Sequence, residues 1–140
     1  MEIKLITKKE DKLLCFSLLK QLVKDLKKET FLLKLNQKTR YGYKLIVLKE
    51  KNKVIAIAGV KFYTTFRFAK HLEIDDFVVD KKNRRKGYGK VLFNWLLKYA
   101  KKNNCNSIQL NSRVKLNKAH KFYKKMGMKI SHYRFYLKFD

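Results

Sequence analysis

Polar and apolar positions alternate over residues 2–7, with Ile3 and Leu5 on one side, the pattern of a half-buried strand. The period then lengthens. Leu13, Phe16, Leu19, Val23 and Leu26 recur at helical spacing to about Lys28. Thr7 and Glu10 have the spacing of a capping box that would start this helix. Residues 31–37 read as a second, short helix, broken over 39–42. Residues 43–48 and 54–63 read as strands joined by the polar turn Glu50-Lys51-Asn52-Lys53, an antiparallel hairpin. Residues 72–79 form the next strand. A helix follows from about Gly87 to Lys101, with Val91, Leu92, Trp95, Leu96 and Tyr99 on one face, and it ends in cations and Asn. Residues 107–110 are a short strand and 117–126 a helix stopped by Gly127; residues 129–139 alternate in two pieces that would close the sheet.

This order predicts an α/β (α+β) layout, a mixed sheet with helices packed on its faces, in a single domain over residues 1–140. A hydrophobic fraction of 46% is enough for a core. No segment approaches the roughly 20 apolar residues of a membrane span, and the N-terminus lacks the apolar stretch of a signal peptide. Cys15 and Cys105 are far apart and have no metal-ligand spacing, nor do His71, His120 and His132. The expectation is a cytoplasmic protein with reduced thiols, no metal and no membrane partner.

The formal charge of +25 changes the list of partners. It fits an anionic macromolecule such as nucleic acid. It equally fits a bias in residue usage: 30 of the 36 basic residues are Lys, spread through every segment, where a dedicated nucleic-acid surface concentrates Arg in a stripe. The second reading is favoured. Either way the field attracts phosphorylated molecules.

The chemistry centres on Asp76 through Lys90, an apolar strand that runs into a basic, glycine-bearing turn and then a helix. Arg84-Arg85-Lys86-Gly87-Tyr88-Gly89 is neither G-x-G-x-x-G nor a P-loop. It is R-x-x-G-x-G on a strand-to-helix turn. Glycines let the backbone approach a ligand, the first helical N–H groups lack intrahelical partners, and the helix dipole favours an anion there. Arg84, Lys86 and Lys90 add positive charge. Alone, the turn could be only a basic helix cap.

A second stretch narrows it. Asn117-Lys118-Ala119-His120-Lys121-Phe122-Tyr123 runs on through Gly127 and Met128. Together with Val78-Val79-Asp80 through Gly89, it resembles the GNAT superfamily of acetyl-CoA-dependent acyltransferases. Its second motif there is usually A-h-x-F-Y-x-x-x-G-F. The resemblance runs from about Tyr43 onward. It implies an acyl-CoA N-acyltransferase fold: a mixed, mostly antiparallel central sheet of six to seven strands flanked by about four helices. It also implies transfer of an acetyl group from acetyl-CoA, as cosubstrate, to a primary amine on a small molecule or protein. By the same resemblance, the backbone of Phe77, Val78 and Val79 would bond the pantetheine arm. N–H groups of Arg85, Lys86, Gly87, Tyr88, Gly89 and Lys90 would hold the pyrophosphate, Asn117 would touch the coenzyme, and Tyr123 would protonate the leaving thiolate. The family offers both monomers and homodimers. Met128 replaces the usual Phe, and Arg85 stands where many relatives have Gly.

The residues leave alternatives open. Tyr123 could be a half-buried helix residue, and Asn117 a helix N-cap. Glu73, Asp75 and Asp76 cluster in a chain with only 11 acidic residues. Strand alternation puts Glu73 and Asp75 on one face and Asp76 on the other. Glu73 or Asp75 is the candidate general base, against a plain salt bridge to Lys. A different class of function is a basic nucleic-acid-binding module on a degenerate acetyltransferase fold. The acceptor is not legible in the sequence.

Overall fold

The computed structural model describes all 140 residues, in two units, Met1–Gln109 and Leu110–Asp140. Five strands and five helices follow in the order β1 (Glu2–Ile6), α1 (Lys9–Leu14), α2 (Phe16–Leu22), α3 (Lys28–Arg40), β2 (Lys44–Glu50), β3 (Lys53–Thr65), β4 (Ala69–Val79), α4 (Tyr88–Lys102), β5 (Ser107–Leu110) and α5 (Asn117–Lys125). The sheet has five strands in the order β1-β2-β3-β4-β5, and β1 to β4 are antiparallel neighbours. The α+β layout is as expected, with fewer strands than six to seven and one more helix than four.

Three departures have physical causes. The long first helix is two helices, because the chain tightens at Cys15, whose N–H donates to the Lys12 carbonyl three residues back. It stops at Leu22; Val23, read as helical, is already extended. No capping box forms: the N-cap is Lys8, with no side-chain bond, while Asp11 meets Lys4 and Lys49 at 3.7 and 3.5 Å. Residues 129–140 join no strand ladder, and Tyr133, Phe135, Leu137 and Phe139 are exposed. Alternation there reports one apolar edge; a strand also needs a backbone partner for its N–H and C=O groups.

In the first unit, one sheet face packs on α1 to α3 and the other on α4. Cys15, Leu18, Leu19, Phe31 and Leu35 bury against Leu45, Val47, Ile57 and Val78. Beneath α4, Phe93 contacts Phe77 and Tyr99 contacts Phe62. Between Gly59 and Val60 the β3–β4 register shifts: Gly59 faces Asp76, but Val60 faces Ile74, so Asp75 is the extra residue of a β-bulge.

Candidate active site

The bulge decides how the acidic residues sit. A residue inserted in one strand resets the alternation that follows. Asp76 therefore lies on the α1–α3 face, where it accepts a hydrogen bond from the Tyr43 hydroxyl at 2.7 Å. Glu73 is on that face too, 3.3 Å from His71 Nε2, and the His71 ring stacks on Tyr63. Burial, then Asp75 and Glu73, raise the Tyr63 phenol above its ordinary pKa. Burial and then the Asp76 and Asp75 charges raise Tyr43. So all three carboxylates gather on one face, which corrects the expectation that Asp76 points the other way. Asp75 is exposed, and Glu73 and Asp76 are half-buried.

Tyr43 is the residue that sequence reasoning missed. It is buried to 5% exposure and its ring lies over Gly59, where a Cβ would collide with the Tyr43 hydroxyl and ring. Lys38 Nζ sits 4.4 Å from the ring centre. Glycine in the middle of a strand was the one available signal, since it marks a bulge or a close approach.

Beyond the bulge, β4 carries Phe77, Val78 and Val79. β5 starts beside Lys70, whose carbonyl accepts from the Asn106 N–H at 2.8 Å. Its four residues span roughly 13 Å, so it ends short of Phe77 on the eleven-residue β4. The edge of β4 facing away from β3 is therefore without a strand at Phe77, Val78 and Val79.

The turn after β4 is firmly anchored at its entry. Asp80 accepts from Gln21 Nε2 at 3.1 Å and from Asn83 Nδ2 at 3.1 Å, and Gln21 Oε1 accepts from the Lys81 N–H at 3.0 Å. The Gln21 bond, above all, lowers the Asp80 carboxyl below its ordinary pKa. Arg84 Nε donates to the Val79 carbonyl at 3.2 Å. Arg85 and Gly87 then both take left-handed backbone, φ 64° and 86°. Gly87 is the N-cap of α4, and Val91 makes the first intrahelical bond to its carbonyl. No N–H from Arg85 to Lys90 donates to a protein acceptor. Two reversals of backbone sense followed by a helix start turn successive N–H groups outward, an anion-binding arrangement. The side chains of Arg84, Arg85, Lys86 and Lys90 are exposed, and Tyr88 Oη donates to Glu50 at 2.7 Å.

The second unit holds Asn117 and Tyr123 on α5. Leu116, not Asn117, is the N-cap, and Asn117 is the exposed first helical residue, which overturns the capping alternative. Tyr123 is half-buried against Phe122, and burial raises its phenol above the ordinary value, so it is protonated at neutral pH. Gly127, at φ 92°, stops the helix as expected: its N–H reaches the Lys124 carbonyl and the Met128 N–H the Tyr123 carbonyl. His120 Nε2 lies 2.8 Å from the Arg113 carbonyl, a structural contact. Cys15 is fully buried and Cys105 half-buried, and burial raises both thiols, away from nucleophilic reactivity.

Comparison with known proteins bears on this geometry. An N-acetyltransferase described as uncharacterized, YhdJ of Bacillus subtilis (strain 168), is 31% identical over 137 residues, 96% of each chain. Glucosamine-6-phosphate N-acetyltransferase from Arabidopsis thaliana superposes with a TM-score of 0.77 at 27% identity, over 100% of both chains. Ribosomal-protein-alanine N-acetyltransferase from Brucella melitensis biovar Abortus 2308 gives a TM-score of 0.85 at 15% identity, over 99% of this chain and 100% of that one, a likeness of fold. The family model described as "Acetyltransferase (GNAT) family" matches residues 14–128, a span that takes in the β4 bulge, the open strand edge and the basic turn alike, and the chain belongs to that family of acyltransferases.

Proposed function

We propose that the protein is an N-acetyltransferase that moves the acetyl group of acetyl-CoA directly to a primary amine. The observation that carries this reading is the run from the strand-free edge of β4 at Phe77, Val78 and Val79 into a turn whose N–H groups have no protein acceptor. Those two features suit the two polar parts of the coenzyme. The amide-rich pantetheine arm would add to the β4 edge as a strand does. The pyrophosphate would take the N–H groups of Arg85 through Lys90, with Arg84, Lys86 and Lys90 supplying charge. Asn117 would contact the coenzyme.

The transfer needs three things from the chain. An amine with a pKa near 10.4 must lose a proton before it attacks. Glu73 and Asp75 are the proposed bases, acting directly or through water. Asp75 is exposed at the bulge, and Glu73 is half-buried, 3.3 Å from His71 Nε2. The carbonyl oxygen gains negative charge as the amine nitrogen bonds to the acetyl carbon, and a backbone N–H among Phe77, Val78 and Val79 would stabilise it. The C–S bond then breaks, and Tyr123 would give the thiolate a proton. Base, oxyanion donor and acid suffice, with no covalent enzyme intermediate.

The direct test is a screen of primary amines with the purified protein and acetyl-CoA, read as free thiol released. Thiol release that requires both the protein and a particular amine is expected. Release no faster than hydrolysis across amino acids, amino sugars, polyamines and peptides would defeat the proposal.

A further inference from the structure

Beside the bulge, a cleft of about 140 Å³ opens between α2, α3 and β4. Leu19 and Val23 give it apolar sides, and its polar groups are Lys34, Lys38, Tyr43 and Asp76. Lys34 and Lys38 are four residues apart on α3, so they share one face a helical turn apart. Neither has a carboxylate within 4.0 Å. Two like charges so placed repel one another, and an anion between them would relieve that. Across the cleft stands Asp76, oriented by the Tyr43 hydroxyl. The cleft thus has a cationic side and a carboxylate, a separation of charge that a zwitterion matches. In β4, Asp76 directly precedes Phe77, the first residue of the edge assigned to the coenzyme.

We infer that the acceptor is an amine that also carries an anionic group, a phosphate or carboxylate, with the anion held by Lys34 and Lys38 and the ammonium drawn to Asp76. This rests on the acetyltransferase reading above and specifies its acceptor. Lys34 and Lys38 then determine specificity, while the proton is removed at the neighbouring bulge. An uncharged or purely cationic amine would leave the cationic side unmatched.

Calorimetric titration of the CoA-loaded protein in 0.15 M salt tests this with two matched pairs: O-phosphoethanolamine against ethanolamine, and 6-aminohexyl phosphate against 6-aminohexanol. At least one phosphorylated amine is expected to bind about tenfold more tightly than its alcohol, as two partly exposed charge pairs would give. The double variant Lys34→Ala/Lys38→Ala should erase the preference. The control Lys98→Ala/Lys102→Ala removes the same charge from exposed positions on α4, on the other face of the sheet, and should keep it. No preference in either pair, or equal loss in the control, overturns the inference, the latter because the chain's overall charge would then be responsible. Failure to load CoA at all would instead overturn the underlying acetyltransferase reading.

Discussion

Gly59→Ala isolates the arrangement that orients Asp76. The new Cβ would land on the hydroxyl and ring of Tyr43, a side chain that is 5% exposed and tied to Asp76 by a 2.7 Å hydrogen bond. Either the ring swings out or the β3–β4 bulge deforms. Overpacking a well-filled site costs roughly 1–3 kcal/mol. Loss of a hydrogen bond to a half-buried carboxylate adds about 1.5 kcal/mol, the low end for charged acceptors. Alanine returns about 0.5–1 kcal/mol through its smaller backbone entropy in a strand. The net is a destabilisation of roughly 2–3 kcal/mol, about 30–150-fold in the folding equilibrium. Urea denaturation of a double-mutant cycle measures it. In a Tyr43→Leu background the obstructed atoms are gone, so the same Gly59→Ala change should be neutral or stabilising by about 0.5 kcal/mol. The coupling between the two sites is thus about 2–3 kcal/mol. An equal effect of Gly59→Ala in both backgrounds, or none in the wild type, would refute the reasoning.

Tyr123→Phe should lower kcat by about 100-fold with little change in the KM for acetyl-CoA, if its hydroxyl protonates the thiolate; an unchanged kcat, measured by thiol release, removes that role. Arg85→Gly should leave acetyl-CoA affinity within a few-fold, because the backbone N–H does the binding, and should raise the melting temperature by relieving a left-handed backbone at φ 64°. A large loss of affinity on calorimetry would move the anion contact to the guanidinium. Burial, reinforced by the Asp11 charge, raises the Cys15 thiol from about 9 to about 12. Below pH 9 both folded and unfolded chains keep this proton; above it only the unfolded chain releases it. Stability should therefore fall by roughly 1 kcal/mol between pH 9 and 10. Cys15→Ala should lose that alkaline component, and an unchanged pH profile in the variant would contradict the assignment.

What was legible in the sequence was local. Leu92, Leu96 and Tyr99 recur three or four residues apart, and α4 forms within a residue of its expected start and end. Gly127 stops α5 because a left-handed residue is needed there. The basic turn could be read as an anion site from its glycines and position alone. Four features could not be read because they depend on how distant parts of the chain meet. Tyr43, Gly59 and Asp76 meet only when β2, β3 and β4 are paired. The bulge at Asp75 has no signature within β4 itself, its one cue being Gly59 on the neighbouring strand, so strict alternation placed Asp76 on the wrong face. Val23 and Leu26 kept the helical period into an extended connection, where Val23 lines the cleft instead of extending α2. Gln21 anchors Asp80 across 59 residues, a contact that no spacing rule anticipates. The apolar alternation from Tyr133 to Phe139 shows the opposite error, a pattern without a strand.

The central claim is that the open edge of β4 and the turn from Arg84 to Lys90 form one coenzyme site. Calorimetric titration of the purified protein with acetyl-CoA tests it most directly. The account predicts one molecule bound per chain, with an affinity that weakens as salt is raised. Gly87→Val, which forces a β-branched residue into φ 86° at the turn, should abolish it. At 100 times Kd the coenzyme should stabilise the fold by about 2.7 kcal/mol. No heat of binding and no stabilisation by acetyl-CoA, or full binding by the Gly87→Val protein, would contradict it.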